Sequence, residues 1–140
     1  MSKLYTVRGK VLAGEVERLT LMDGKFNTGY RIIDFHIAPE DIATTETVQM
    51  KLSTKEFAHN TGWFWGRNSE VGWASYKGAT SLDSYYAKWD KDALIIEDLF
   101  LDATADSGEF VNYMITLEKV NTTDWMGALA MVRNSSQDND

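Results

Sequence analysis

Apolar residues fall on alternate positions through most of this chain, which is the spacing of strands with one buried face. Residues 3–12 place Tyr5, Val7 and Val11 on one parity, interrupted by Gly9. A glycine inside such a run marks a bulge or a close backbone approach. Residues 15–22 follow after an Ala13-Gly14 turn, with Leu19 and Leu21 on one side and Val16 and Met22 on the other. Asp23-Gly24 carries a hairpin signal. Residues 30–38 put Ile33, Phe35 and Ile37 on an apolar face and Ile32, Asp34 and His36 opposite; Pro39 then breaks the ladder. Residues 46–52 direct Val48, Met50 and Leu52 inward. Further strands are expected over 70–77 and 82–89.

The stretch 94–119 reads as the core β-hairpin, two apolar runs about the polar turn Ala105-Asp106-Ser107-Gly108. Its second run alternates cleanly through Val111, Tyr113, Ile115 and Leu117. Its first is apolar on both parities, as in a central strand covered on both faces or one that carries a bulge. Two short helices are expected. Ser53-Thr54-Lys55-Glu56 has the capping-box spacing for a helix over 54–60 ended near Gly62. Residues 125–133 set Trp125, Ala128, Leu129 and Val132 on one helical face, after the N-cap cluster Thr122-Thr123-Asp124. The tail 134–140 is polar and expected to be flexible. Strands recurring at this spacing predict one all-β domain over 1–140, an antiparallel β-sandwich of jelly-roll type with a short C-terminal helix. A barrel is the alternative.

Composition narrows the function. The 140 residues carry a net charge of −7, and their Lys and Arg are scattered, which disfavours a direct nucleic-acid role. With no cysteine, disulfides, thiolate metal sites and cysteine nucleophiles are excluded. No apolar run is long enough to span a bilayer, so no membrane role is expected. The start MSKLYTVRGK lacks the apolar region of a signal peptide, so Sec export is not expected.

Candidate chemistry is sparse. His36 and His59 belong to no metal motif and read as a solvent-facing sheet histidine and a helix-end histidine. Glu97, Asp98, Asp102 and Asp106 cluster in the 94–119 stretch, with Glu97 among apolar neighbours and partly buried. A glycosidase would need two such carboxylates flanking a cleft. Asp23, Asn27 and Asp34, or Asp102, Asp106 and Glu109, offer oxygen ligands without EF-hand spacing. No GxSxG motif or phosphate loop is present. No catalytic residue, cofactor or metal is therefore assigned, and an enzyme is not expected.

The aromatic segment 62–90 is the best functional candidate. Trp63, Trp65, Trp73, Tyr76, Tyr85 and Tyr86 lie in it, and its rings have three roles open to them. They can fill the core of a small sandwich, form a subunit interface, or stack on sugar rings. In a carbohydrate-binding module Trp63, Trp65, Trp73 and Tyr85 would form the platform. With Trp125, Leu129 and Val132 of the C-terminal helix, these rings are the candidate contact surface.

The string EDLFLDATADSGEFVNYMITLEKV, followed by ALAMVRNSSQD, resembles the endings of small virion structural proteins of tailed marine bacteriophages. The resemblance covers the C-terminal third. It implies a capsid-associated or decoration protein, made in the host cytoplasm and located in the virion. Such a protein would partner itself in a symmetric homo-oligomer and other capsid proteins. A glycan-binding sandwich module is the second expectation, and a small hydrolase using Glu97 and Asp98 the third.

Overall fold

A computed structural model of the chain describes residues 3–21, 28–41, 47–77, 84–106 and 108–121. Within them run β1 (Lys3–Leu12), β2 (Val16–Thr20), β3 (Thr28–Pro39), β4 (Thr47–Ser53), β5 (Glu70–Lys77), β6 (Ser84–Trp89), β7 (Asp98–Ala105) and β8 (Phe110–Asn121). They form two antiparallel sheets, in the orders β1-β8-β3 and β2-β7-β4-β5-β6. No helix occurs among the described residues. The expected helix over 125–133, with Trp125, Leu129 and Val132, and the tail 134–140 lie outside them.

The inner faces of both sheets share one core. Phe35, Ile37, Val111, Ile115 and Leu117 of the three-stranded sheet meet Val48, Met50, Leu52, Leu99 and Leu101 of the five-stranded one. Tyr113 also faces inward, and its hydroxyl lies over Gly9, where a Cβ would stand 2.9 Å from the phenol oxygen. Of the two readings of Gly9, a bulge or a close approach, the unbroken register and the Tyr113 contact select the close approach.

The expected hairpin over 94–119 is corrected. β7 pairs with β2 and β4, and β8 with β1 and β3, so each is central in a different sheet. With both edges of each strand occupied, no edge is left for pairing with the other. The link between them is an arch across the core. The β1–β2 link crosses beside it: Ala13 N–H donates to Glu109 O (3.0 Å), and Gly14 N–H to Ala103 O (2.8 Å). Gly14 makes this turn with φ of 90°, in the left-handed region that favours glycine. β2 and β3 also lie in different sheets, so no hairpin joins them, while Asp23-Gly24 itself lies outside the described residues.

Residues 94–97 are not strand. Ile95 and Ile96 are buried where the chain crosses from β6 to β7, and Ile95 exchanges two backbone bonds with Tyr30 (2.9 and 2.8 Å). A crossing segment packed from several sides has no alternation, which explains the apolar residues on both parities. From Asp98 onward β7 is covered on both faces, as expected for a central strand, with Leu99, Leu101 and Ala103 in the core and Asp98, Phe100 and Asp102 on the other face.

Two further local expectations change. In β3 the register with β8 slips between Ile32 and Asp34. This bulge keeps Ile32 in the core with Phe35 and Ile37 and turns Ile33 outward. The helix expected over 54–60 is irregular chain. Ser53 ends β4, and its hydroxyl donates to Lys55 O (2.9 Å) rather than capping a helix. His59 is accordingly no helix-end residue.

Candidate functional site

The connection from β4 to β5 is an Ω-loop, closed where Thr54 N–H donates to Ser69 O (2.8 Å). It is anchored to the outer face of the five-stranded sheet. Register explains why. Lys51 of β4 lies between Trp73 of β5 and Asp102 of β7, so these three point outward together, on the face opposite Met50 and Leu52.

All three are buried, and each binds the loop. Lys51 Nζ donates to Gly62 O (2.7 Å) and stands 5.1 Å from the Phe64 ring centre. Asp102 accepts from His59 Nδ1 (2.5 Å) and from Asn60 N–H (3.0 Å). Glu70, at the start of β5, accepts from Phe64 N–H and from the Trp73 indole, both at 3.0 Å. Its second oxygen lies 3.6 Å from both Lys51 and Arg67. The Arg67 guanidinium is sandwiched between Phe57 and Phe64, at 4.4 and 4.2 Å from their ring centres. Burial of this much charge is tolerated because Glu70 faces Lys51 and Arg67 and because Asp102 accepts two hydrogen bonds.

On this anchored base stand the aromatic candidates. Trp63 stacks on Tyr86 of β6 with ring centres 5.7 Å apart and planes at 27°. Trp65 meets Trp73 edge-on at 5.9 Å. Trp73 is only 8% exposed, so it supports the group, whereas Trp65 at 64% and Tyr86 at 40% face solvent. The expected platform of Trp63, Trp65, Trp73 and Tyr85 thus changes one member. Tyr85 points to the other side of β6, and Tyr86 takes its place.

Tyr76 and Tyr85 meet edge-on at 6.3 Å away from this ledge, where β6 runs beside β3. There Tyr85 serves the fold. Its hydroxyl accepts from Ile37 N–H (3.2 Å), and its ring stacks on His36 (5.8 Å, 26°). His36 Nε2 is 2.9 Å from Asp34, and its Nδ1 is 3.0 Å from the Tyr85 hydroxyl. The Nε2–H tautomer therefore lets the phenol donate to Nδ1. Burial raises the Tyr85 pKa, with Asp34 adding to it, against the lowering effect of the Ile37 N–H.

The hairpin carboxylates separate. Glu97 is exposed rather than partly buried, while Asp98 is buried and paired with Arg18 at 2.5 Å. Asp106 accepts from Thr47 N–H (3.4 Å), and among the described residues no three His, Asp or Glu side chains gather to hold a cation. The His59–Asp102 pair has the geometry of an oriented base. No hydroxyl hydrogen-bonds to that imidazole among the described residues, so the pair anchors the loop.

Lys51, Arg67 and Glu70 carry the site, and sequence reading passes over them. Lys51 sits at an ordinary solvent position of an alternating strand, and nothing local says that a loop will cover it. No protein-family model, curated protein or solved structure matches this chain.

Proposed function

We propose that this chain is a non-enzymatic structural protein of a bacteriophage particle. It would be capsid-associated or of decoration type, located in the virion, and work through a symmetric homo-oligomer and contacts to other capsid proteins. The observation that carries the reading is the outer face of the three-stranded sheet. Nothing among the described residues covers it, yet it exposes Leu4, Ile33, Phe110 and Met114. Leu4 is 59% exposed and Met114 45%. Large apolar side chains left on one sheet face are what a subunit contact buries.

The strand order supports it. We read the order β1-β8-β3 facing β2-β7-β4-β5 as consistent with seven strands of an eight-stranded jelly roll. β6 is paired to β5 instead of completing the first sheet beside β3. Jelly rolls serve in capsid and lectin domains alike, so the fold alone does not choose between them. Mass photometry and light scattering over a concentration series test the proposal. Concentration-dependent closed oligomers support it. A monomer at high concentration with no affinity for capsid particles overturns it.

A second reading has its own observation, the solvent-facing ledge of Trp63, Trp65 and Tyr86. Solvent-facing rings can stack on the C–H faces of sugars, which would make the chain a carbohydrate-binding module. Tryptophan fluorescence titrated with a glycan panel tests it, and a flat response across the panel removes it.

A further inference from the structure

We propose that the open edge of β1 is a strand-addition site for an extended, acidic segment of a partner protein. The site goes beyond self-association and does not depend on it.

Backbone bonding sets the geometry. The Ala13–Glu109 bond fixes the phase of the β1–β8 ladder, so Val11, Gly9, Val7 and Tyr5 exchange bonds with β8. In an antiparallel pair the intervening residues turn their N–H and C=O groups the other way. Leu4, Thr6, Arg8 and Lys10 therefore present backbone groups along the open side that pair with no other strand among the described residues.

The other open edges are shorter or plugged. On β3 the Tyr85 hydroxyl occupies Ile37 N–H, and Ile95 pairs with Tyr30. β2 and β6 are about half the length of β1. β1 keeps unbroken register with β8 over Lys3–Leu12 and contains neither proline nor bulge.

Charge names the occupant. β1 carries Lys3, Arg8 and Lys10 and no carboxylate, in a chain of net charge −7. Edge cations of this kind oppose pairing with the same strand of a second copy, because like charges would face each other. They favour an acidic strand. Lys10 is partnered by Glu40 at 2.8 Å, whereas Arg8 is in no ion pair among the described residues. Arg8, Gly9, Lys10, Asn112, Tyr113 and Met114 line an open depression of about 410 Å³. At Gly9 the Tyr113 phenol packs against the backbone, so the depression is bounded by that ring and by the outward Arg8, Lys10 and Met114. Main-chain bonds would supply the affinity and the cations of β1, Arg8 foremost, the selectivity.

The test uses the full chain and an end-capped, fluorescein-labelled peptide that alternates glutamate and valine, read by anisotropy. A lysine-for-glutamate peptide is the control. Hydrogen exchange should slow at Thr6, Arg8 and Lys10 when the acidic peptide is added. Thr6→Pro removes one edge N–H and leaves the β8 ladder intact, as proline on an edge strand permits. It should weaken binding about tenfold, the worth of one or two main-chain bonds. Arg8→Glu, which leaves the backbone untouched, should shrink the preference for the acidic peptide, Lys3 and Lys10 remaining, and keeps the test valid should the proline variant fold poorly. Absent binding, equal binding of both peptides, or protection elsewhere than β1 would overturn the proposal.

Discussion

Burying Lys51 and Glu70 takes two charges out of water, and the geometry around them decides whether the fold tolerates it. Glu70 accepts two hydrogen bonds and faces two cations, so removing it strands Lys51, Phe64 N–H and the Trp73 indole together. Glu70→Ala should destabilise by about 3–5 kcal/mol, read by urea denaturation, with a change in tryptophan emission as Trp73 loses its partner. The double variant Lys51→Met, Glu70→Leu should recover part of this loss, because Lys51 is then no longer buried without its partner, while Arg67, Phe64 N–H and the Trp73 indole still lose Glu70. Tyr85 is a half-exposed polar group whose hydroxyl is held against β3 and whose titration can be read. Its pKa is raised above the ordinary 10.0 by burial and by Asp34. A group raised in the fold contributes stability that is fully present below its unfolded pKa and lost as pH rises through the folded value. Stability should therefore fall above about pH 10. Absorbance at the tyrosinate band should show a late-titrating phenol that Tyr85→Phe removes. Tyr113, raised by burial and by Glu17, titrates late as well and remains in that variant.

At the scale of elements, the Ω-loop is the part most dependent on a few contacts. Its first half hangs on Asp102, which holds His59 and Asn60 from β7. Asp102→Ala should cost about 1–3 kcal/mol, since it leaves two donors without their acceptor. Exchange should quicken at the Asn60 amide and proteolysis should begin within 56–62, while β4 and β5 stay protected. Equal protection of the loop in both proteins would count against this anchor. Sequence made most strands visible, because alternation survives wherever one face is buried. It misplaced the element at 54–60, since the Ser53 and Glu56 spacing of a capping box does not reveal that the chain is pinned flat by Lys51 and Asp102. It also misassigned the parity of Ile32 and Ile33, because one extra residue in a bulge inverts the alternation on one side of it.

At the scale of the molecule, the two sheets differ in what lies over them. The Ω-loop and its aromatic rings cover the five-stranded sheet, and the three-stranded one is bare among the described residues. Self-association through that bare face predicts that Ile33→Ser combined with Met114→Ser shifts the oligomer towards monomer in mass photometry. Each change should alter unfolding free energy by no more than about 0.5 kcal/mol, because both side chains are solvent-facing in the single chain. An unchanged mass distribution would send the search for the contact to the Trp65 ledge instead.

The sequence by itself determined the strand content and the all-β class, because both follow from the alternation of side chains along a strand; at Gly9 it left a bulge and a close approach open, and the register with β8 chose the second. The sequence also picked out the aromatic segment. What only the tertiary structure decided is which strands pair. The stretch 94–119 has every local sign of a hairpin, yet β7 and β8 sit in different sheets, because each already has two neighbours from far along the chain. The same pairing brings Lys51 beside Asp102 and Trp73, and so creates the buried base on which Trp63 and Trp65 stand. Pairing between distant strands depends on edges and register that no local pattern carries.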